Sequence, residues 1–181
     1  MLTPIFNLEK SLNAILYIAH KLQRKDFHKI FKVLYFADRE HLSKYGRPIT
    51  GDTYIKMING PVPSKIYDIF KAVKGDSFFS DEATEYKKLF NIVNDYIIEP
   101  LQLANLDFLS KTDIEEIDNS LLIYGNLPFG EITKLSHDYA WASAIDDCPI
   151  DMANILREVG QSEDYIEYIN DFYITQKSIC N

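Results

Sequence analysis

With 181 residues, 46% of them hydrophobic, the chain is long enough for one domain with a substantial core and too short for two comfortable ones. No stretch approaches the roughly 18 uninterrupted apolar residues of a spanning helix, and no basic segment followed by an apolar run opens it, so a soluble, unexported, cytoplasmic protein is expected. The net charge is −8, and Cys148 and Cys180 have neither the spacing of a metal site nor the density of a disulfide framework.

Leu8, Leu12, Ile15, Leu16, Ala19 and Leu22 form an apolar stripe, which predicts a first amphipathic helix packed on the rest. Phe27, Ile30, Phe31, Leu34 and Tyr35 recur at helical spacing, and Gly46 followed by Pro48 ends this second helix near Tyr45. Thr53 to Ile58 reads as a short strand. Asn59-Gly60-Pro61-Val62-Pro63 reads as a stiff turn, with Gly60 at positive φ and the prolines held near about −65°. Ser64 is placed to cap a helix through Ile66, Ile69, Phe70 and Val73, closed by Gly75.

Asp76 to Lys88 has weak periodicity and reads as loop with one short strand at Phe78-Phe79. Leu89 to Val93 and Tyr96 to Glu99 flank Asn94-Asp95 as a hairpin that Pro100 ends. Ser110 can cap a helix from Lys111 to Tyr124, with Asp113 and Glu115 in its first turns and Gly125 past its end. Phe129 to Ser136 is a short helix, Pro149 to Val159 another with Pro149 near its first position, and Glu163 to Gln176 a final amphipathic one. The class is therefore α+β: a predominantly α-helical single domain over residues 1–181 with a small antiparallel β-sheet. It has no internal repeat and no linker.

Catalytic signals are incomplete. Asp38 and His41 lie three apart but lack the third ligand of a catalytic zinc, and Asp38-Arg39-Glu40-His41 reads as a helix face with local ion pairs. His20 and His28 read as surface or boundary residues. Cys148 lies near Asp146 and Asp147, whose charges disfavour a thiolate. Ser43, Ser64 and Ser136 sit in no nucleophile elbow, and Gly46, Gly51 and Gly60 fit no phosphate-binding fingerprint. Neither an enzyme nor a cofactor is expected.

Lys21, Arg24, Lys25, Lys29 and Lys32 could position a nucleic-acid backbone, but no reader motif accompanies them, and they read as a solvated basic helix face. Residues 1–75 carry 13 Lys/Arg against 6 Asp/Glu, and residues 76–181 carry 6 against 21, giving +7 and −15. Such halves either pack with opposed fields or offer an acidic face to a basic partner. Glu163, Asp164, Glu167 and Asp171 on the final helix are the candidates for that face. The other candidate surface comprises Tyr45, Arg47, Asp52, Tyr54 and the apolar knuckle Pro61-Val62-Pro63, residues equally suited to holding a turn together.

Leu34-Tyr35-Phe36-Ala37-Asp38, then Gly46-Arg47-Pro48-Ile49-Thr50-Gly51-Asp52, then Gly60-Pro61-Val62-Pro63-Ser64, resemble in order and spacing the Panacea antitoxin domain of SocA-like and phage-associated proteins. Leu135-Ser136-His137 with Trp141 resembles the family's second block. The resemblance spans about Leu8 to Thr175. Some members carry an additional N-terminal helix-turn-helix, whereas the first predicted helix here begins at Leu8, so no separate one is expected. The resemblance implies an antitoxin that binds a cognate toxin encoded nearby and covers its active surface. Two alternatives are an adaptor that delivers the toxin to an AAA+ protease and a phage-derived regulator that binds nucleic acid.

Overall fold

Helix starts follow capping side chains. The computed structural model describes residues 4–75 and 80–179. The Asn7 side chain accepts the Lys10 amide at 3.0 Å to open α1 (Leu8–Lys21), and Asp26 accepts the Lys29 amide at 3.1 Å to open α2 (Phe27–Tyr45). Gly46, at φ 71°, ends α2 in the left-handed conformation expected of it.

Helix α2 is buried on nearly every side, as the middle element of a fold must be. Ile30, Phe31, Val33, Leu34 and Ala37 enter one core cluster with residues of α1 and of α3 (Ser64–Lys74). Tyr35, Phe36 and Leu42 enter a second, formed with α6 (Phe129–Ser136), α7 (Tyr139–Ala142), α8 (Met152–Glu158) and α9 (Glu163–Ile179). Helix α5 (Lys111–Tyr124) packs along α2 and opens with a capping box between Ser110 and Asp113.

Among the described residues, two separate two-stranded antiparallel ribbons complete the α+β fold. In the first, β1 (Tyr54–Met57) pairs with β2 (Gly60–Pro63), Met57 opposite Gly60, so the tip is only Ile58-Asn59. Residues 60–63 are thus a strand, which corrects the reading of Asn59 to Pro63 as a turn. Pro61 and Pro63 stand opposite Lys56 and Tyr54, whose backbone groups bond outward to Asp147, Cys148 and Ile150, so the missing N–H groups cost the ladder nothing. In the second ribbon, β3 (Phe90–Val93) pairs with β4 (Ile97–Pro100) around residues 94–96, one residue more than Asn94-Asp95 alone. Asn94 and Asp95 do take positive φ.

Three further expectations change. Residues 80–86 form helix α4 (Ser80–Tyr86) within the segment read as loop, and the strand expected at Phe78-Phe79 lies outside the described residues. Helix α8 starts at Met152 on an Asp151 cap, because Pro149 is drawn into a β-bridge with Ile55. Ser64 begins α3 but makes no cap bond.

Part of the charge division is resolved inside the molecule. Lys10 and Arg47 reach Asp113 at 2.7 and 3.0 Å, Lys21 reaches Asp118 at 2.7 Å, Lys44 reaches Glu116 at 2.8 Å, and Arg39 reaches Asp138 at 3.4 Å. The basic half therefore grips the acidic half, chiefly along α5. The N-terminal basic cluster is a solvated face only in part: Lys21 and Arg24 are exposed and Lys25 half-buried, whereas two members are not. Lys29 is buried and donates to the carbonyls of Tyr124 and Leu127 at the end of α5, and Lys32 is buried with its amine on Pro61 O at 2.7 Å. Their stems lie on the core-facing side of α2, which composition alone does not reveal. Among the described residues, no helix is long and apolar enough to cross a membrane.

Candidate interaction site

The loop between α2 and β1 is organised by one carboxylate. Asp38 is buried on α2 and accepts the Ile49 amide (2.7 Å), the Thr50 amide (3.2 Å), the Thr50 hydroxyl (2.7 Å) and the Tyr54 hydroxyl (2.9 Å). Burial pushes its pKa up, against the opposing pull of the Thr50, Tyr54 and Ile49 bonds. For Asp38 and His41 this corrects the reading of residues 38–41 as a helix face with local ion pairs. Only Arg39 and Glu40 pair locally, at 3.2 Å. His41 is buried, with Nδ1 2.7 Å from Arg47 O and Nε2 3.0 Å from Thr112 Oγ1 and 3.1 Å from Asp113 Oδ1. Burial would raise the Asp113 carboxyl, yet bonds from His41, Lys10 and Ser110 hold it well below the usual range.

A second carboxylate fixes the β1–β2 ribbon and the helix beyond it. Asp52 accepts the amides of Thr53 (2.7 Å), Lys65 (3.1 Å) and Ile66 (2.9 Å), and so caps α3 in place of Ser64. The ribbon is thereby clamped at its base, and at its tip the Ile58 residue is 87% exposed while the backbone of Ile58 and Asn59 bonds to His137 and His28. The block around His137 and Trp141 supports the ribbon from behind. Trp141 Nε1 donates to Met57 O at 3.1 Å, the His137 ring stacks on the indole at 3.7 Å, and Lys56 Nζ lies 4.6 Å from the indole centre. A groove of about 350 Å³ runs along one side of the tip past Phe31, Val62 and Tyr67, and one of about 250 Å³ lies on the other between Trp141 and Asp146.

A family model described as Antitoxin SocA-like, Panacea domain, matches residues 30–142. The chain belongs to this antitoxin family. Comparison with curated proteins finds no match, and neither does comparison with solved structures. The Panacea match runs from the first turn of α2 through α7, so it contains the Asp38 and Asp52 anchors, the ribbon and its Trp141 support.

Within this Panacea segment the residues singled out from sequence divide by burial. Asp52, Tyr54, Pro61 and Pro63 are buried, Val62 is half-buried against the first core cluster, and the expected apolar knuckle is an internal strand. Arg47 is half-exposed with its guanidinium on Asp113, and Tyr45 is exposed with its ring 4.6 Å from His41. Glu163, Asp164, Glu167 and Asp171 lie outside the matched segment, all exposed on α9, with Glu163 held by Arg157 at 2.7 Å. The two groups approach each other at one edge, where Arg47 lines a groove of about 370 Å³ with Phe172 and Tyr173 of α9. Sequence reasoning missed Ile58, the true tip of the ribbon. Its signal was present, an apolar residue ending the run Thr-Tyr-Ile-Lys-Met-Ile directly before Asn59, but the prolines drew attention one strand too far.

Proposed function

We propose that this protein is an antitoxin that neutralises a cognate toxin, encoded nearby, by binding it directly in the cytoplasm, without catalysis of its own. The observation that carries this reading is the exposed Ile58 tip within the Panacea segment, held at its base by Asp52 and from behind by Trp141. An apolar side chain on a ribbon so fixed loses little conformational freedom when a partner covers it, so more of the contact energy appears as affinity. Flanking grooves give a partner surface room to interdigitate around the tip.

Co-expression with the neighbouring gene product tests this. Growth should be rescued and both chains recovered as one complex, and Ile58→Asp should lose both. Rescue without a complex in a protease-deficient host would overturn direct neutralisation. Rescue that requires the protease would favour delivery for degradation, and binding to nucleic acid in place of the toxin would favour the regulator.

A further inference from the structure

Lys32 is a buried amine without a buried anion, and burial lowers its pKa to about 7. Its residue is 1% exposed, its amine donates to Pro61 O, and among the described residues no carboxylate forms an ion pair with it. The other buried amine of α2, Lys29, has two carbonyls at the end of α5. Two imidazoles stand near Lys32. His28 Nε2 is 2.9 Å from Thr133 Oγ1, and His137 Nε2 is buried with no hydrogen-bond partner among the described residues. Proximity to Lys32 disfavours the charged form of both rings, after burial itself. An ammonium removed from water with one carbonyl for company gives up its proton more readily, and an anion that joins it favours the charged form again.

An opening reaches this place. Lys32 and His28 belong to the lining of the groove of about 350 Å³ between α2, the β1–β2 ribbon and α3, whose remaining wall is dominated by Phe27, Phe31, Val62 and Tyr67. Asp147, also in the lining, is exposed and water-screened. Apolar walls with a few polar groups are the usual form of a ligand pocket. We propose that this groove binds a carboxylate carried on an aromatic or branched apolar body, with the anion directed to Lys32 and the body against Phe31 and Tyr67. Two sources share this chemistry: a free acid and the C-terminal residue of a polypeptide. The proposal goes beyond the antitoxin reading and is tested on the protein alone, so each can fail without the other.

The probes are N-acetyl-phenylalanine and its amide, titrated by calorimetry and by amide chemical shifts. The acid should bind about tenfold or more tightly than the amide, since an ionised acceptor makes the stronger bond. Shifts should concentrate at Phe31, Lys32 and Tyr67. Lys32→Met keeps the stem and should erase the preference for the acid, while Tyr67→Ala should weaken acid and amide alike. Equal binding of acid and amide by the wild type, a preference that survives Lys32→Met, or no binding at about 10 mM would overturn the proposal. A pentapeptide ending in phenylalanine then separates the sources. Tighter binding than N-acetyl-phenylalanine assigns the groove to a polypeptide C-terminus, and equal binding assigns it to a free acid.

Discussion

Asp52 caps a helix that begins beyond the hairpin it precedes: its carboxylate accepts the Ile66 amide at 2.9 Å from the far side of the β1–β2 ribbon. The ribbon leaves the chain at Tyr54 and returns at Pro63, and Asp52 bonds both Thr53 and Lys65, which flank it. Asp52→Ala should therefore cost about 2 kcal/mol by urea denaturation, more than an ordinary exposed cap, because buried amides would be left unpaired. A loss no larger than that of a surface substitution would show that α3 holds the ribbon without the cap.

The same carboxyl should make stability depend on pH. Burial, with the nearby Asp38 charge adding to it and the Ile66, Lys65 and Thr53 amides opposing it, pushes the Asp52 pKa up to about 6. A carboxyl whose folded pKa lies above its unfolded value contributes stability that is complete below about pH 4 and is lost as pH rises through about 6. Asp52→Asn keeps an acceptor and cannot ionise. Relative to that variant, the wild type should lose up to about 3 kcal/mol between pH 4 and pH 7. Parallel stability curves for the two proteins would refute the assignment to Asp52.

Gly60 has two independent reasons to be glycine. It sits at φ 96°, and a Cβ there would fall against Ser136 Oγ and within 2.8 Å of Lys32 Cε. Gly60→Ala should destabilise by about 2 kcal/mol, and Gly60→Val by more. Adding Ser136→Ala should recover only the Ser136 part of the steric cost and leave the Lys32 contact and the backbone strain, so the double variant should melt between Gly60→Ala and wild type. Full recovery would mean that neither the strain nor the Lys32 contact costs anything.

Ile58 and Val62 separate recognition from folding. Ile58→Asp, at an exposed tip, should change stability by no more than about 0.5 kcal/mol while abolishing toxin capture. Val62→Asp puts a carboxylate against the core cluster and should lower stability by about 2 kcal/mol or more, with any loss of capture following from that. Capture by the Ile58 variant at wild-type strength would move the interface elsewhere.

What the sequence disclosed depended on whether a signal was local. Gly46, Gly75, Ser110 and the 3.6-residue periodicities act within one helix, and α2, α3, α5 and α6 end where those signals put them. Pro149 looked like a helix start by the same local logic, but its place is decided by Ile55, distant in sequence. Asp38 and Asp52 were visible only as charges near a turn, because their hydrogen-bond partners lie from one to sixteen residues away and burial cannot be read from spacing. The tip at Ile58 was hidden because Pro61 and Pro63 usually break strands. Here their missing donors fall on the edge that β1 does not use.

Helix α9 carries an acidic face of its own. Asp164, Glu167 and Asp171 are exposed along it, with the exposed rings of Tyr168 and Phe172 among them. Their charges stand apart from the cross-molecule ion pairs that neutralise α5, so a basic partner could use them. Complementary charge mainly raises the association rate and is screened over about 8 Å at physiological salt, so toxin association should slow as salt rises. Glu163 is already engaged by Arg157, and reversing it would also break that pair. The cleaner variant is therefore Asp164→Lys, Glu167→Lys and Asp171→Lys together, which leaves the buried Ile166, Ile169 and Tyr173 seam untouched. Stopped-flow association across a salt series should give this variant a rate about tenfold lower at low salt and a flatter salt dependence. Equal rates and equal slopes for variant and wild type would remove α9 from the interface and leave the Ile58 ribbon as the surface the toxin meets.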